Sequence, residues 1–139
     1  MKHRHKILHM KAAYVYAEGS YCVRRKVGCV IVKDNNPIAI GFNGTPPGAD
    51  NVCEDIHGNT KDDVIHAEDN ALRKLNGKEE DLSTACVFVT TAPCERCAEK
   101  LMLAGIRTVY YSETYRCEKG IKLLQDNGIH VERIEIYDV

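Results

Sequence analysis

The strongest constraint on this fold is a set of side chains divided between two segments. His66 and Glu68 stand in HAEDNA at 66–71, and Cys94 and Cys97 stand in APCERC at 92–97. One imidazole and two thiols are ligands that zinc accepts, and three protein ligands leave its fourth position to water. The fold must therefore bring two distant segments within bonding reach of one ion. Cys94 and Cys97, three apart, share a face if a helix begins there, and the positive end of that helix favours thiolate over thiol. Pro93 suits such a start, where a missing backbone N–H costs nothing. Glu68 is spaced to carry protons for the bound water rather than to ligate.

The rest of the chain supplies elements that can hold those segments. Leu8, Ala12, Val15 and Tyr16 recur at helical spacing, which predicts a helix over 5–18 stopped by Gly19. VGCVIV at 27–32 has the length and β-branching of a buried strand, and PIAIGF at 37–42 pairs with it as a hairpin across Asn35-Asn36-Pro37. NGTPPGADN at 43–51 is loop, and the polar, mostly acidic stretch from 50 to 63 is expected to cross the surface. A helix begins at or just before His66, with Ala67, Ala71, Leu72 and Leu75 on one face and Asn76-Gly77 at its end. Then come a strand at 86–90, a helix from Cys94 to Ala104 with Ala98, Leu101 and Met102 inward, and a strand at 106–111. A helix at 117–127 and an alternating strand at 130–137 close the chain. The order α-β-β-α-β-α-β-α-β predicts an α/β fold with a largely parallel sheet and helices on both faces. If the two motifs meet at the carboxyl ends of strands, they do so where open α/β sheets place their sites.

Composition narrows the function. The 139 residues are 44% hydrophobic and 28% charged with a net charge of −1, which suits one domain over 1–139 and gives no basic coat for a nucleic acid or membrane surface. Lys2, Arg4, Lys6 and Lys11 read as the solvated start of a helix, with a phosphate-binding arm as the sharper alternative. His9 and Lys11 interrupt any leader-like apolar core, and no apolar run reaches the ~20 residues of a membrane span. The expected compartment is thus the reducing cytoplasm. There seven cysteines serve more often as ligands or buried apolar groups than in disulfides. Cys29, Cys86 and Cys117 read as such small residues with no site role.

His-x-Glu with Pro-Cys-x-x-Cys is the signature of zinc nucleobase deaminases. KVGCVIV at 26–32, GFNGTPPG at 41–48, HAEDNA and APCERC, in that order, resemble the deoxycytidylate (dCMP) deaminases of the cytidine-deaminase-like superfamily. The similarity runs from about residue 8 to 131. The Gly-Phe-Asn-Gly-x-Pro-x-Gly loop points to a nucleotide rather than a free nucleoside or tRNA.

That resemblance implies a three-layer α/β/α sandwich on a five-stranded mixed sheet, commonly assembled as a homohexamer. It implies hydrolysis of dCMP to dUMP and ammonia, which supplies dUMP for thymidylate synthesis, with a zinc-bound hydroxide as nucleophile and Glu68 as proton shuttle. By position, Asn43 is expected to bond the deoxyribose 3′ hydroxyl, Ala67 to offer its backbone to the base, and Tyr115 to lie near base and sugar. The phosphate needs cations or helix-start amides. Arg24, Arg25, Lys26, Arg116 and Lys119 are the candidates, with Arg116 favoured because it adjoins Tyr115. Many family members are activated by dCTP with Mg2+ and inhibited by dTTP, and loop 41–48 matches their effector region. Some hold a second, structural zinc, for which Cys22, Cys53 and His57 are candidates by position without a fourth ligand.

Three rival readings remain open on the residues alone. A Cys-x-x-Cys with one His also builds structural zinc sites closed by a fourth protein ligand, and Cys-x-x-Cys serves redox proteins. Within the same chemistry, a tRNA adenosine or free-cytidine deaminase is the alternative, although a tRNA editor needs a basic face. No membrane and no stable nucleic-acid partner is expected.

Overall fold

The computed structural model describes residues 1–137. Its elements are α1 (His3–Ala17), β1 (Gly28–Lys33), β2 (Asn36–Phe42), α2 (Ala67–Arg73), β3 (Cys86–Thr91), α3 (Glu95–Leu103), β4 (Thr108–Glu113), α4 (Lys119–Asp126) and β5 (His130–Arg133). The strands form one sheet in the order β2-β1-β3-β4-β5. β1 runs antiparallel to both β2 and β3, while β3, β4 and β5 are parallel. Strands β2, β3, β4 and β5 therefore share one direction and β1 alone opposes them. The β2–α2–β3 unit keeps the direction that strand–helix alternation predicts, but it passes over β1. The sheet is mixed for that reason, although four of its five strands are parallel to one another.

Two apolar layers follow from the period-two alternation of the buried strands. Val30, Val32, Phe88 and Tyr110 meet Ile7, Met10 and Ala13 of α1 on one face. On the other face Cys29, Ile31, Val87, Val89 and Val109 meet Ala67, Ala71, Ala98, Leu101 and Leu124 of α2, α3 and α4. The result is the expected three-layer sandwich.

Two elements differ from expectation. The apolar face of α1 that packs is Ile7, Met10, Ala13 and Ala17, whereas Leu8, Val15 and Tyr16 stay exposed. The helix is apolar on both sides, so periodicity located the element without locating its buried stripe. The strand anticipated over 130–137 ends at Arg133. Its neighbour β4 pairs with it up to Tyr111 and Arg133; beyond that point the Arg133 side chain donates to Ser112 O, while β4 runs on to Glu113 beside β3. No described helix is long and apolar enough to cross a membrane.

Two glycines set how near the site helices lie. A Cβ on Gly41 would stand 2.4 Å from Ala67 O and 2.5 Å from Ala71 N, so only glycine lets α2 rest on β2. A Cβ on Gly120 would stand 2.1 Å from Pro93 O, which is how α4 closes against the start of α3.

Candidate active site

Both metal motifs open a helix. His66 is the N-cap of α2 and Cys94 the N-cap of α3, each with extended backbone. Asn70 donates to Phe42 O at 2.7 Å and Lys74 donates to Ile40 O, which ties α2 to β2. Lys100 of α3 meets Asp69 of α2 at 2.8 Å, bracing the two helices against each other. His66 Nδ1 then lies 3.6 Å from Cys94 Sγ and 3.3 Å from Cys97 Sγ. Zn–N and Zn–S bonds of about 2.0–2.3 Å at a tetrahedral angle put nitrogen and sulfur about 3.6 Å apart, so the three atoms fit one zinc ion. The nitrogen–sulfur donor set points to the same metal. Among the described residues no fourth His, Cys, Asp or Glu ligand joins that group; three protein ligands is the count of zinc sites that keep a position for water, four that of structural ones.

The electrostatics favour ligation. Hydrogen bonds from Cys97 and then His66 push the Cys94 thiol down to about 3, while the bond to Cys94 and burial push Cys97 up. The hydrogen bond with Cys94 raises His66. Glu68 is 4% exposed, and burial pushes its carboxyl up to about 7 against the pull of its backbone, His66 and Cys97. A carboxyl poised near neutral pH both gives and takes protons, as a general acid–base must.

A cavity of about 430 Å³ opens over these groups. His66, Ala67, Glu68 and Cys94 form its floor, with Thr91 and Ala92 from the end of β3. Asn43, Tyr115 and Arg116 all line it, as do Arg24 and Arg25, whose guanidinium lies 5.9 Å from the centre of the Tyr115 ring. Of the cations considered for a phosphate, Arg24, Arg25 and Arg116 converge here. Lys26 instead lines a separate cavity with Glu113 and Arg133, and Lys119 is not on the wall. The Asn43 amide faces backbone: it accepts Val27 N–H at 2.9 Å and donates to Arg25 O at 2.8 Å.

Sequence reasoning missed Asn59, Thr60 and Val64, which close one side of the cavity. Asn59 and Thr60 sit in the acidic stretch over 50–63 expected to cross the surface, and Val64 directly follows it. The only local signal in that stretch is the Asp55 carboxylate, which accepts the N–H groups of His57 and Asn59 in a tight turn. Cys22 and Cys53 were candidate ligands for a second zinc; the structure joins them in a disulfide, with Glu54 beside them and His57 outside the group. The expectation of no disulfide is thereby corrected. Glu54 also accepts the N–H groups of Val23 and Arg24, so the fold presses the 20–27 and 53–54 segments together and the two sulfurs meet.

The model of the cytidine and deoxycytidylate deaminase zinc-binding region matches residues 3–113. The chain belongs to this family. It is 37% identical over 134 residues to the deoxycytidylate deaminase of Saccharomyces cerevisiae, covering 89% of this chain and 43% of that one. It is 35% identical to ComE operon protein 2 of Bacillus subtilis, covering 91% of this chain and 69% of that one. The chain thus spans less than half the length of the yeast relative. Its structure is similar to that of the dCMP deaminase from cyanophage S-TIM5 in complex with dCMP and dUMP, with a TM-score of 0.91, 40% identity, and 96% and 98% of the two chains covered. Zinc-binding deaminases built on this mixed sheet are the setting in which the His66, Cys94 and Cys97 cluster is to be read.

Proposed function

We propose that this chain, as a single deaminase domain over 1–139, hydrolyses dCMP to dUMP and ammonia, feeding thymidylate synthesis. The observation that carries the reading is the buried Glu68 carboxyl beside a three-ligand metal group, at the floor of a cavity rimmed by three arginines. His66, Cys94 and Cys97 would hold a zinc ion, which would supply Lewis-acid activation of water. Glu68 would carry one proton of that water to N3 as the water oxygen bonds C4, and then carry the remaining hydroxyl proton to the amine as the C4–N4 bond breaks, so that dCMP and water leave as dUMP and ammonia. The Ala67 backbone at the head of α2 holds the base, Tyr115 flanks base and sugar, and Arg116, Arg24 and Arg25 take up the phosphate.

The assembly belongs to the same proposal: a cytoplasmic homo-oligomer, with a hexamer as its form, activated by dCTP and inhibited by dTTP through loop 41–48. Magnesium enters only as the counter-ion of a bound dCTP. The deciding experiment is a panel of dCMP, dCTP, cytidine and a tRNA anticodon stem, followed by ammonia release. dCMP is expected to give the highest kcat/KM. Preference for an unphosphorylated nucleoside or for the tRNA would reject the reading, and a chain that keeps zinc but releases no ammonia from any of them would be a binding module.

A further inference from the structure

Segment 20–27 carries Arg24 and Arg25 to the cavity without belonging to a helix or strand. One residue secures most of it. The Asn43 backbone N–H donates to Val27 O at 3.2 Å, and its carbonyl accepts the Ser20 hydroxyl at 2.8 Å. Its side-chain Oδ1 accepts Val27 N–H at 2.9 Å and its Nδ2 donates to Arg25 O at 2.8 Å. Four hydrogen bonds from Asn43 thus span the loop from Ser20 to Val27. Arg25 itself supplies one of the two backbone groups that the amide holds, and its guanidinium lies 5.9 Å from the centre of the Tyr115 ring.

We propose that Asn43 is a positioning residue for Arg25: it fixes the arginine loop so that the guanidinium meets a substrate phosphate. An asparagine amide has one acceptor oxygen and two N–H donors. Here the oxygen and one donor are engaged by backbone, which leaves one N–H and one lone pair for other partners while the first two bonds hold the loop. Releasing them frees Val27 N–H and Arg25 C=O and lets the loop drift. A phosphate contact is sensitive to displacements of about 1 Å. Glu54 grips Val23 N–H and Arg24 N–H from the other side, so the loop stays tethered, and the chain folded, when the Asn43 amide is removed. The inference rests on the phosphorylated-substrate reading above.

Steady-state kinetics on Asn43→Ala, Arg25→Ala and the double variant test it, with zinc content and melting temperature as controls of folding. The substrates are dCMP and its 3′-deoxy analogue, 2′,3′-dideoxycytidine 5′-monophosphate. Asn43→Ala is expected to raise KM for dCMP about tenfold with kcat held within about threefold, the pattern of lost ground-state binding. The double variant should be no worse than Arg25→Ala within about twofold, because the two changes remove one interaction. The same penalty should appear on the 3′-deoxy substrate. Penalties that multiply in the double variant, or a penalty that vanishes without the 3′ hydroxyl, would overturn the proposal in favour of a direct sugar contact. Asn43→Asp keeps the acceptor for Val27 and loses the donor to Arg25; it should give an intermediate KM and serves if the alanine variant does not fold. Failure of the unmodified chain to release ammonia from dCMP would reject the substrate reading itself, and this inference with it.

Discussion

The floor and the rim of the cavity are built by different physics. The floor is regular structure: two helix starts laid on a sheet by close backbone approach at Gly41 and Gly120 and braced by Asp69–Lys100. The rim is loop, its segments held to one another by side chains reaching for backbone, chiefly Asn43 and Glu54, and by the Cys22–Cys53 disulfide. Chemistry needs ligand atoms fixed to tenths of an ångström, which packed elements provide. Recognition of a nucleotide needs groups that can be exchanged from one relative to another, which loops on a rigid scaffold allow. Perturbations of the floor should therefore act on kcat, and perturbations of the rim on KM.

The largest effect expected is on the floor. Glu68→Gln should lower kcat about a thousandfold, the range for losing a general acid–base, with zinc stoichiometry unchanged. Loss of zinc from that variant would show Glu68 to be a ligand. Next comes the rim's covalent tie. A bond closing 31 residues is worth roughly 3–4 kcal/mol by chain entropy. The Cys22→Ser/Cys53→Ser double variant should lose about that much in denaturant melts while retaining the metal at His66, Cys94 and Cys97. Parallel loss of both would mean that rim and floor are one unit.

Gly41→Ala should cost about 1–3 kcal/mol through overpacking of α2 on β2, and kcat should fall with it; a variant altered in KM alone would break the division. Arg25→Ala should raise KM for dCMP about tenfold, close to 1.4 kcal/mol, with kcat nearly unchanged. The smallest effect concerns Asp69. Burial alone would raise its carboxyl, but Lys100 and Arg73 more than offset this and hold it below the usual carboxylate value. Its contribution is thus present above its unfolded pKa of about 4 and lost as pH falls through the lower folded value. Lys100→Met should cost a few tenths of a kcal/mol at pH 7, with the difference fading as the solution is acidified below about pH 4.

How much of this was legible depends on whether the signal was local. The nine elements followed from periodicity and from Gly and Pro punctuation, and the ligands from residue type and spacing. The buried stripe of α1 did not, because Leu8, Val15 and Tyr16 make its outer face as apolar as the Ile7–Met10–Ala13 face that packs. The early end of β5 was hidden because alternation in 134–137 continues past Arg133, where its pairing with β4 ends. The Cys22–Cys53 pairing and the placing of Asn59 and Thr60 were hidden because loop-to-loop contacts leave no period in a sequence.

By itself the sequence determined the metal chemistry: a nitrogen and two sulfurs at helix starts, a carboxylate two residues from the first, and strands to carry them. Only the tertiary structure decided what surrounds that chemistry. The reason is the direction of one strand. Because β1 opposes the other four, its leading end lies beside the carboxyl ends of β2 and β3, and Arg24 and Arg25, which precede it, arrive at the same cavity as His66 and Cys94. A parallel β1 would have delivered those arginines to the far end of the sheet; the hairpin turn sets β1 against β2, but its insertion between β2 and β3 is decided by pairing with a strand distant in the chain, not by the residues of the strand itself.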